Sequence, residues 1–415
     1  MKVAIIGGGI IGLSSAYYLR LQGHEVSVFD QSDGSDNCSY GNAGYICPSH
    51  FIPLATPGIV KQGLKWMWNS RSPFYVEPRL DWDLIRWGWK FMRSATPKHV
   101  ANAAAPLRDI ALISQQAYAD WHRSGLDFLY QHKGMLEIVQ TEAGERHAKE
   151  TVQQAIDLGL TDTAWLTADQ LASYEPGVRM QARGAILFAC DAHCYPNRLM
   201  QSMLERLRTM GVQFHWNEGV IDGQIEHQRI RSIRTNAGSY SFDQVVLAAG
   251  SWSGKLAKAF GLSIPVMPGR GYSITTSESP MQLNYPAILV EGRVALTPLN
   301  DSTMRFGGTM EITGHQTPPR MERVQGILDA VKRFYPDFQM ELPKAEQVWY
   351  GYRPCSTDGL PYIGRPRQLK NLVVATGHAM LGLSLGAGTG KLVGQLIDEQ
   401  TPDMDLRPFD PDRAR

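Results

Sequence analysis

The chain has 415 residues, 43% apolar and 20% charged, enough for a sizeable core and more than one simple domain. Its 41 Lys and Arg offset 40 Asp and Glu, and a net charge of +1 argues against a nucleic-acid binder that relies on a broad basic surface. Mean hydropathy is −0.25, no apolar run approaches the ~20 residues that span a bilayer, and no secretory signal pattern is visible.

In chain order, Lys2–Ile6 reads as a buried parallel strand running into Gly7-Gly8-Gly9-Ile10-Ile11-Gly12. Leu13–Leu21 reads as a helix stopped by Gly23, and His24–Asp30 as a second strand. Residues 36–60 read as loop, and 61–95 as short helices carrying five of the ten tryptophans. Amphipathic helices are expected over 103–124 and 143–159, with Leu126–Gln140 between them a hairpin turning at His132-Lys133-Gly134. Thr167–Tyr174 and Asn197–Met210 follow as helices, and Val212–Trp216 as a strand. Ile230–Thr235 and Ser239–Leu247 form an expected hairpin, and Val245–Ala249 is an apolar run ending at Gly250. Short strands are expected at 271–276, 287–290, 294–298 and 304–308. Then come a helix at Met321–Phe334, a buried strand at Leu372–Thr376 and a last helix at Ala387–Glu399. The five cysteines are scattered, with no CxxC pair, which fits a reducing cytoplasm. Cys190, His193 and Cys194 lack the second half-site of a closed zinc centre, so no metal is expected.

Gly7, Gly9 and Gly12 follow a strand and open a helix, and an acidic residue, Asp30, lies 18 positions after the third glycine, the full context of a dinucleotide fingerprint. Gly7 permits the tight turn, Gly9 lets a pyrophosphate approach the backbone, and Gly12 lets helix and strand pack closely. The helix N-terminus offers N–H groups to phosphate, and Asp30 offers acceptors to a ribose. This motif alone leaves FAD and NAD open. A second glycine-rich cluster, Gly377 to Gly388, favours a flavin, whose N1/O2 edge the amides near Gly386 could support.

These motifs resemble the FAD-dependent D-amino-acid oxidase superfamily over essentially the whole chain. The likeness rests on VAIIGGGIIGLSSAYYL at 3–19, SYGNAGYICP at 39–48, DAHCYPNRL at 191–199, VVLAAGSWS at 245–253, GYRPCSTDGLPYIG at 351–364 and ATGHAMLGLSLGAGTGKLV at 375–393, with RPFDPDR at 407–413. GYSITT at 271–276 and RFGGTMEITG at 305–314 are most similar to the bacterial D-amino acid dehydrogenase branch. The resemblance implies an α/β fold: a discontinuous Rossmann-type FAD-binding domain with an inserted α+β substrate domain on an antiparallel sheet. The division would be 1–48, 149–262 and 346–415 for FAD, and 49–148 and 263–345 for substrate.

FAD is expected to be non-covalent. The expected cofactor-lining set is Gly7, Gly9, Ile10, Ile11, Gly12, Asp30, Gln31, Ser39, Asn42, Ala43, Gly44, Val220, Ala249, Gly250, Ser251, Arg353, Gly377, His378, Leu381, Gly382, Leu383 and Ser384. The resemblance makes Arg353 the clamp on a substrate carboxylate, which a guanidinium fork matches with two charge-assisted hydrogen bonds. Tyr272 is a second carboxylate contact, a lid residue or a packed core tyrosine. His50, like His378, is either catalytic or structural. Pro196 begins a helix in the family motif, which makes Cys190 and Cys194 scaffold.

The implied reaction is hydride transfer from the Cα of an amino acid to flavin N5, giving an imino acid that hydrolyses to a 2-oxo acid. It needs no side-chain base if the amine binds neutral. The partners are then a small amino acid, cyclic imino acids included, and no nucleic acid. Residues 61–95, rich in Trp, Lys and Arg, suit a membrane interface or electron-acceptor contact, placing a cytoplasmic protein on the inner face of the inner membrane. They equally suit packing in the substrate domain or at a homo- or hetero-oligomer contact. An oxygen-using glycine or sarcosine-type oxidase and a non-catalytic nucleotide-binding subunit stand as alternatives.

Overall fold

The computed structural model describes residues 1–58 and 69–414; Trp66, Trp68 and the expectation for 61–68 lie outside the described residues. Lys2–Ile6 is flanked on both sides by parallel strands, Glu25–Phe29 and Gln244–Leu247. That placement explains its unbroken apolar run, because both faces of a central parallel strand are covered. Six strands complete this sheet in the order Tyr362–Gly364, Leu372–Thr376, Gln244–Leu247, Lys2–Ile6, Glu25–Phe29, Gln213–His215. All pairs are parallel except the edge pair Tyr362–Gly364 with Leu372–Thr376.

A larger mixed sheet lies beside it. Its order is Val348–Ser356, Val266–Thr276, Met304–Ile312, Val294–Pro298, Ala287–Leu289, Met135–Val139, Gly184–Phe188, Thr163–Thr167, with Phe74–Val76 also paired to Met304–Ile312. Its membership differs from the division expected from sequence. Thr163–Thr167, Gly184–Phe188 and Val348–Ser356, expected on the cofactor side, all pair into this sheet. Cross-strand pairing over large sequence separations leaves no trace in local composition.

Three local expectations also change. Leu126–Gln140 is not a hairpin: only Met135–Val139 is extended, and it pairs with Gly184–Phe188 and Ala287–Leu289, while Gln131 bridges His193. Arg229–Thr235 does turn back onto Ser239–Tyr240, but its main partner is Val220–Glu226, and Gln244–Leu247 departs to the parallel sheet. The helix expected at 103–124 begins earlier, at Pro97, because the Thr96 hydroxyl accepts the His99 amide at 3.2 Å and Pro97 suits a first turn.

The first helix, Ile10–Leu21, starts directly after Gly9, and the C-terminal helix Gly386–Ile397 packs against it. A Cβ on Gly390 would lie 2.5 Å from the Ser14 backbone, and one on Gly388 would lie 2.9 Å from the Ser114 amide nitrogen in helix Pro97–Arg123. Three helices from distant parts of the chain thus meet at backbone distance. Gly390→Ala is expected to lower stability by about 1–3 kcal/mol through overpacking, read as a fall in Tm.

Candidate active site

A cavity of about 960 Å³ runs between the two sheets, near the top of the ordinary range for ligand sites. One end lies over the carboxyl ends of the parallel strands, where open α/β sheets bind ligands. Gly7 adopts φ 115°, and a Cβ there would lie 2.4 Å from the Ala248 carbonyl. A Cβ on Gly12 would lie 1.9 Å from the Gly7 carbonyl, which is the close helix–strand packing expected of it. On Gly9 nothing lies closer than the Ser39 hydroxyl at 3.5 Å, so its backbone faces open space. That hydroxyl accepts the Ile10 amide at 3.0 Å. Asp30 accepts the Gly8 amide at 2.7 Å and the Ser32 amide at 2.8 Å, fixing its carboxylate at the rim.

Most of the expected lining set borders the cavity: Gly7, Gly9, Ile10, Ile11, Asp30, Gln31, Ser39, Asn42, Ala43, Val220, Ala249, Gly250, Ser251, Arg353, His378, Leu381, Gly382, Leu383 and Ser384. Gly12, Gly44 and Gly377 do not. Each is held by space within the protein instead: a Cβ on Gly44 would lie 2.2 Å from the Cys194 carbonyl, and one on Gly377 would lie 2.8 Å from the Tyr362 ring. The expectation for the amides near Gly386 also changes. The Gly386 amide donates to the Leu383 carbonyl at 2.9 Å and the Gly388 amide to Ser114 Oγ at 3.0 Å. The glycines of this helix serve packing, and the loop before it supplies the wall.

Buried Arg305 holds the loop 39–44 against that wall. Its guanidinium donates to the Tyr40 carbonyl at 2.8 Å, the Asn42 carbonyl at 2.6 Å and Asn197 Oδ1 at 2.8 Å. Thr297 Oγ1 donates to the Ala43 carbonyl at 2.7 Å. The Cys47 amide donates to Ser384 Oγ at 2.9 Å, tying this loop to the C-terminal cluster.

Arg353 sits on strand Val348–Ser356, and its guanidinium lies flat over the neighbouring strand at Gly271, where a Cβ would be 2.1 Å from Nη1. Nη1 donates to the Thr309 carbonyl one strand further on. The register between these two strands shifts there, Arg270 facing Glu311 and Tyr272 facing Gly308. This bulge puts Thr309 at φ 68°, a conformation that costs a β-branched residue about 1–3 kcal/mol. Burial lowers the Arg353 pKa, and the titratable neighbours that act on it are the thiols of Cys355 and Cys38. Among the described residues no carboxylate pairs with it, although it borders the cavity. An arginine stays protonated even so, leaving a cation without an anion at the cavity wall.

Tyr272 also borders the cavity, but its hydroxyl donates to Glu311 at 2.7 Å and accepts the Arg320 amide at 2.9 Å. Arg270 spends its charge on Glu311 at 2.7 Å, with both side chains fully buried. His50 borders the cavity from the loop after Cys47, and burial pushes it down to about 4. His378 donates or accepts at Thr389 Oγ1, 3.0 Å away, and burial pushes it down to about 3. The sequence reading missed Thr309 and Glu137, both on the wall. Thr309 lies within RFGGTMEITG, where nothing local marks its role, and Glu137, an isolated acid in the apolar strand MLEIV, carried the one available signal.

The helix Trp82–Ser94 closes the other side of the cavity with Leu84, Trp87, Phe91 and Met92. Trp87 Nε1 donates to the Cys355 carbonyl at 2.9 Å, and its ring stacks on Phe91. Trp82, Ile85, Trp89 and Met92 on the same helix are more than half exposed.

Residues 2–396 match the FAD dependent oxidoreductase (DAO) family. A D-amino acid dehydrogenase of Granulibacter bethesdensis is 32% identical over 418 residues, covering 98% of this chain and 97% of its own. Among solved structures, glycine oxidase from Geobacillus kaustophilus superposes with a TM-score of 0.78 at 22% identity, over 99% of both chains. L-proline dehydrogenase from P. horikoshii gives 0.74 at 17% identity, over 99% and 97%. These two likenesses concern the fold.

The contact between Gly271 and Arg353 involves the far end of a flexible side chain, so a methyl group there would move the arginine and leave the sheet intact. Gly271→Ala is expected to fold with an unchanged circular dichroism spectrum and to weaken binding of a small monocarboxylate about tenfold or more, measured by calorimetry.

Proposed function

The chain belongs to the DAO family of FAD-dependent oxidoreductases, and on that premise we propose that it oxidises D-amino acids to imino acids, which hydrolyse to 2-oxo acids and ammonium. The observation that carries this reading is Arg353, a half-buried cation at the cavity wall with no carboxylate partner among the described residues. A buried charge is costly unless paired, so the site is built for an anion supplied by a ligand. The fork of a guanidinium matches a planar α-carboxylate.

The walls fit FAD. Open space over Gly9 admits a pyrophosphate, Asp30 and Val220 border the adenosine end, and residues 378–384 border the other. Bound there, FAD supplies the two-electron acceptor for oxidation at Cα. The protein's own contribution is positioning. Thr309 orients Arg353, Arg353 fixes the carboxylate, and the apolar wall of Met310, Ala379 and Leu54 excludes water from the reacting carbon. The preference for the D-configuration comes from the relatives that bear that name, 32% identical over nearly the whole chain.

We assign residues 163–188 and 348–356 to the substrate-side unit, because their strands complete the sheet that carries Arg353. The exposed apolar residues of helix Trp82–Ser94 stand at the mouth of the same cavity. Among the described residues, no helix is long and apolar enough to cross a membrane. Docking of this helix at a membrane surface fits its exposed Trp82 and Trp89 beside Arg86 and Arg93, and would bring an electron acceptor to the cavity mouth.

Purified FAD-loaded protein is expected to bleach anaerobically with a D-amino acid from a panel of D-, L-, imino and N-methyl amino acids. Arg353→Ala is expected to retain FAD and lose about 2–5 kcal/mol in kcat/KM, mostly through KM. Unchanged kinetics would remove the carboxylate assignment, and bleaching by N-methylglycine alone would favour an oxidase of the glycine or sarcosine kind. In liposome flotation with anionic lipids, the wild type should float and Trp82→Ser/Trp89→Ser should not; a wild type that stays at the bottom argues for a different acceptor contact.

A further inference from the structure

Near His50 stand two carboxylates, Glu137 on the cavity wall and Asp191 in the interior, and neither has an ion-pair partner among the described residues. Half-buried Glu137 borders the cavity from strand Met135–Val139, and Asp191, close enough for its charge to act on Glu137, is fully buried. The groups that act on them are each other and the thiols of Cys47 and Cys190, which burial keeps neutral. His193, two residues beyond Asp191, is pushed down to about 4 by burial and by Lys133.

The hydrogen bonds fix a direction. Ser49 Oγ donates to Asp191 Oδ2 at 2.5 Å, and the Ser49 amide donates to Asp191 Oδ1 at 3.1 Å. Having given its only proton to Asp191, the Ser49 hydroxyl can only accept from His50 Nδ1, 3.3 Å away. Neutral His50 therefore carries its proton on Nδ1 and a lone pair on Nε2. Nε2 has no protein partner among the described residues, and His50 borders the cavity. Leu54 and Ala55, a few residues on, pack with Met310, Cys355 and Ala379 around the seat of Arg353. His50, Leu54, Met310, Ala379 and Arg353 border the same cavity.

We propose that His50, Ser49 and Asp191 form a proton relay that removes the ammonium proton of the substrate; the proposal rests on the amino-acid reading of Arg353. An N–H bond of the substrate breaks and an Nε2–H bond forms on His50. The Nδ1 proton passes to Ser49 Oγ, and the Ser49 proton passes to Asp191 Oδ2. One proton moves and no electron does, and the amine keeps the lone pair that oxidation at Cα requires.

The titration fits this order. Burial raises Asp191 to about 6, so it accepts a proton above that pH and not below. Burial and the Asp191 charge raise Glu137 to about 7. His50, held at about 4, is neutral throughout this range and passes the proton on without keeping it.

The test uses FAD-loaded wild type, Asp191→Asn and Ser49→Ala in anaerobic stopped-flow bleaching with a D-amino acid from pH 5 to 9. Asn at 191 still accepts the Ser49 amide, and Ala at 49 leaves the carboxylate in place, so the two variants perturb folding differently. The wild-type rate should rise with pH and level off above neutrality. Each variant should be about 100-fold slower at pH 7, lose that acid limb and keep its KM. Variants with wild-type rates and profiles would overturn the relay. A second arm reads the His50 tautomer by ¹⁵N NMR without any substrate. Protonation on Nδ1 is expected; an Nε2–H tautomer would overturn the relay. A wild type that no amino acid bleaches removes the amino-acid reading, while the tautomer still decides the relay.

Discussion

The close seating of helix Gly386–Ile397 between Ile10–Leu21 and Pro97–Arg123 is the constraint on which the rest of the molecule depends. Gly386 meets Ile10, Gly388 meets the backbone at Ser114, and Gly390 meets the backbone at Ser14. Side chains at these positions would push the helices apart. Without that approach the loop 378–384 would not reach the Cys47 amide through Ser384, and the cavity would lose its floor. Interiors at this density transmit small displacements, so a packing feature of three helices governs the width of the ligand site.

Charge is distributed over the site by the same economy of space. Arg270 and Arg353 lie on adjacent strands one residue apart in register, Arg270 facing Tyr352 and Gly269 facing Arg353, yet they differ completely in surroundings. Arg270 lies against Glu311, which also faces Arg323 at 3.5 Å and accepts from Tyr272. That network anchors the middle of the large sheet. Arg353 lies over a glycine and reaches the Thr309 carbonyl and the Met310 sulfur. The bulge at Thr309 turns that carbonyl toward it, and the strained backbone is held by strands on both sides. A cation is thereby aimed at the cavity at one end, while Glu137 and Asp191 stay unneutralised at another.

Much of the cofactor end was legible because its chemistry is local. Gly7, Gly9 and Gly12 do their work within one strand–turn–helix, and spacing alone carries that. The helix, read from Leu13, in fact begins at Ile10, because Gly9 can serve as an extended N-cap without any side-chain bond. The second glycine cluster was legible as a feature but misleading in role. Composition cannot tell a glycine that admits a ligand from one that admits a neighbouring helix, and Gly386, Gly388 and Gly390 are of the second kind. The substrate side was less legible. Tyr272 and Arg353 stand out in similar short motifs, and only their neighbours reveal that one polar group is spent and the other free for a ligand.

By itself, then, the sequence determined a dinucleotide-binding βαβ unit, a discontinuous α/β architecture, a flavin-dependent family and an arginine as the candidate carboxylate clamp. The βαβ unit follows from residue types at fixed short spacing, where the backbone leaves few alternatives, while the family and the arginine's role are what the resemblance of the motifs implies. Tertiary structure alone decided which strands share the large sheet, that Thr309 orients Arg353, and that Glu137, Asp191, Ser49 and His50 meet beside the cavity. Those residues come from segments up to 142 positions apart, as Ser49 and Asp191 are. Only chain folding brings Asp191 within hydrogen-bond reach of Ser49 and sets Glu137 near them, so their relation could be read only once the sheet had closed around them.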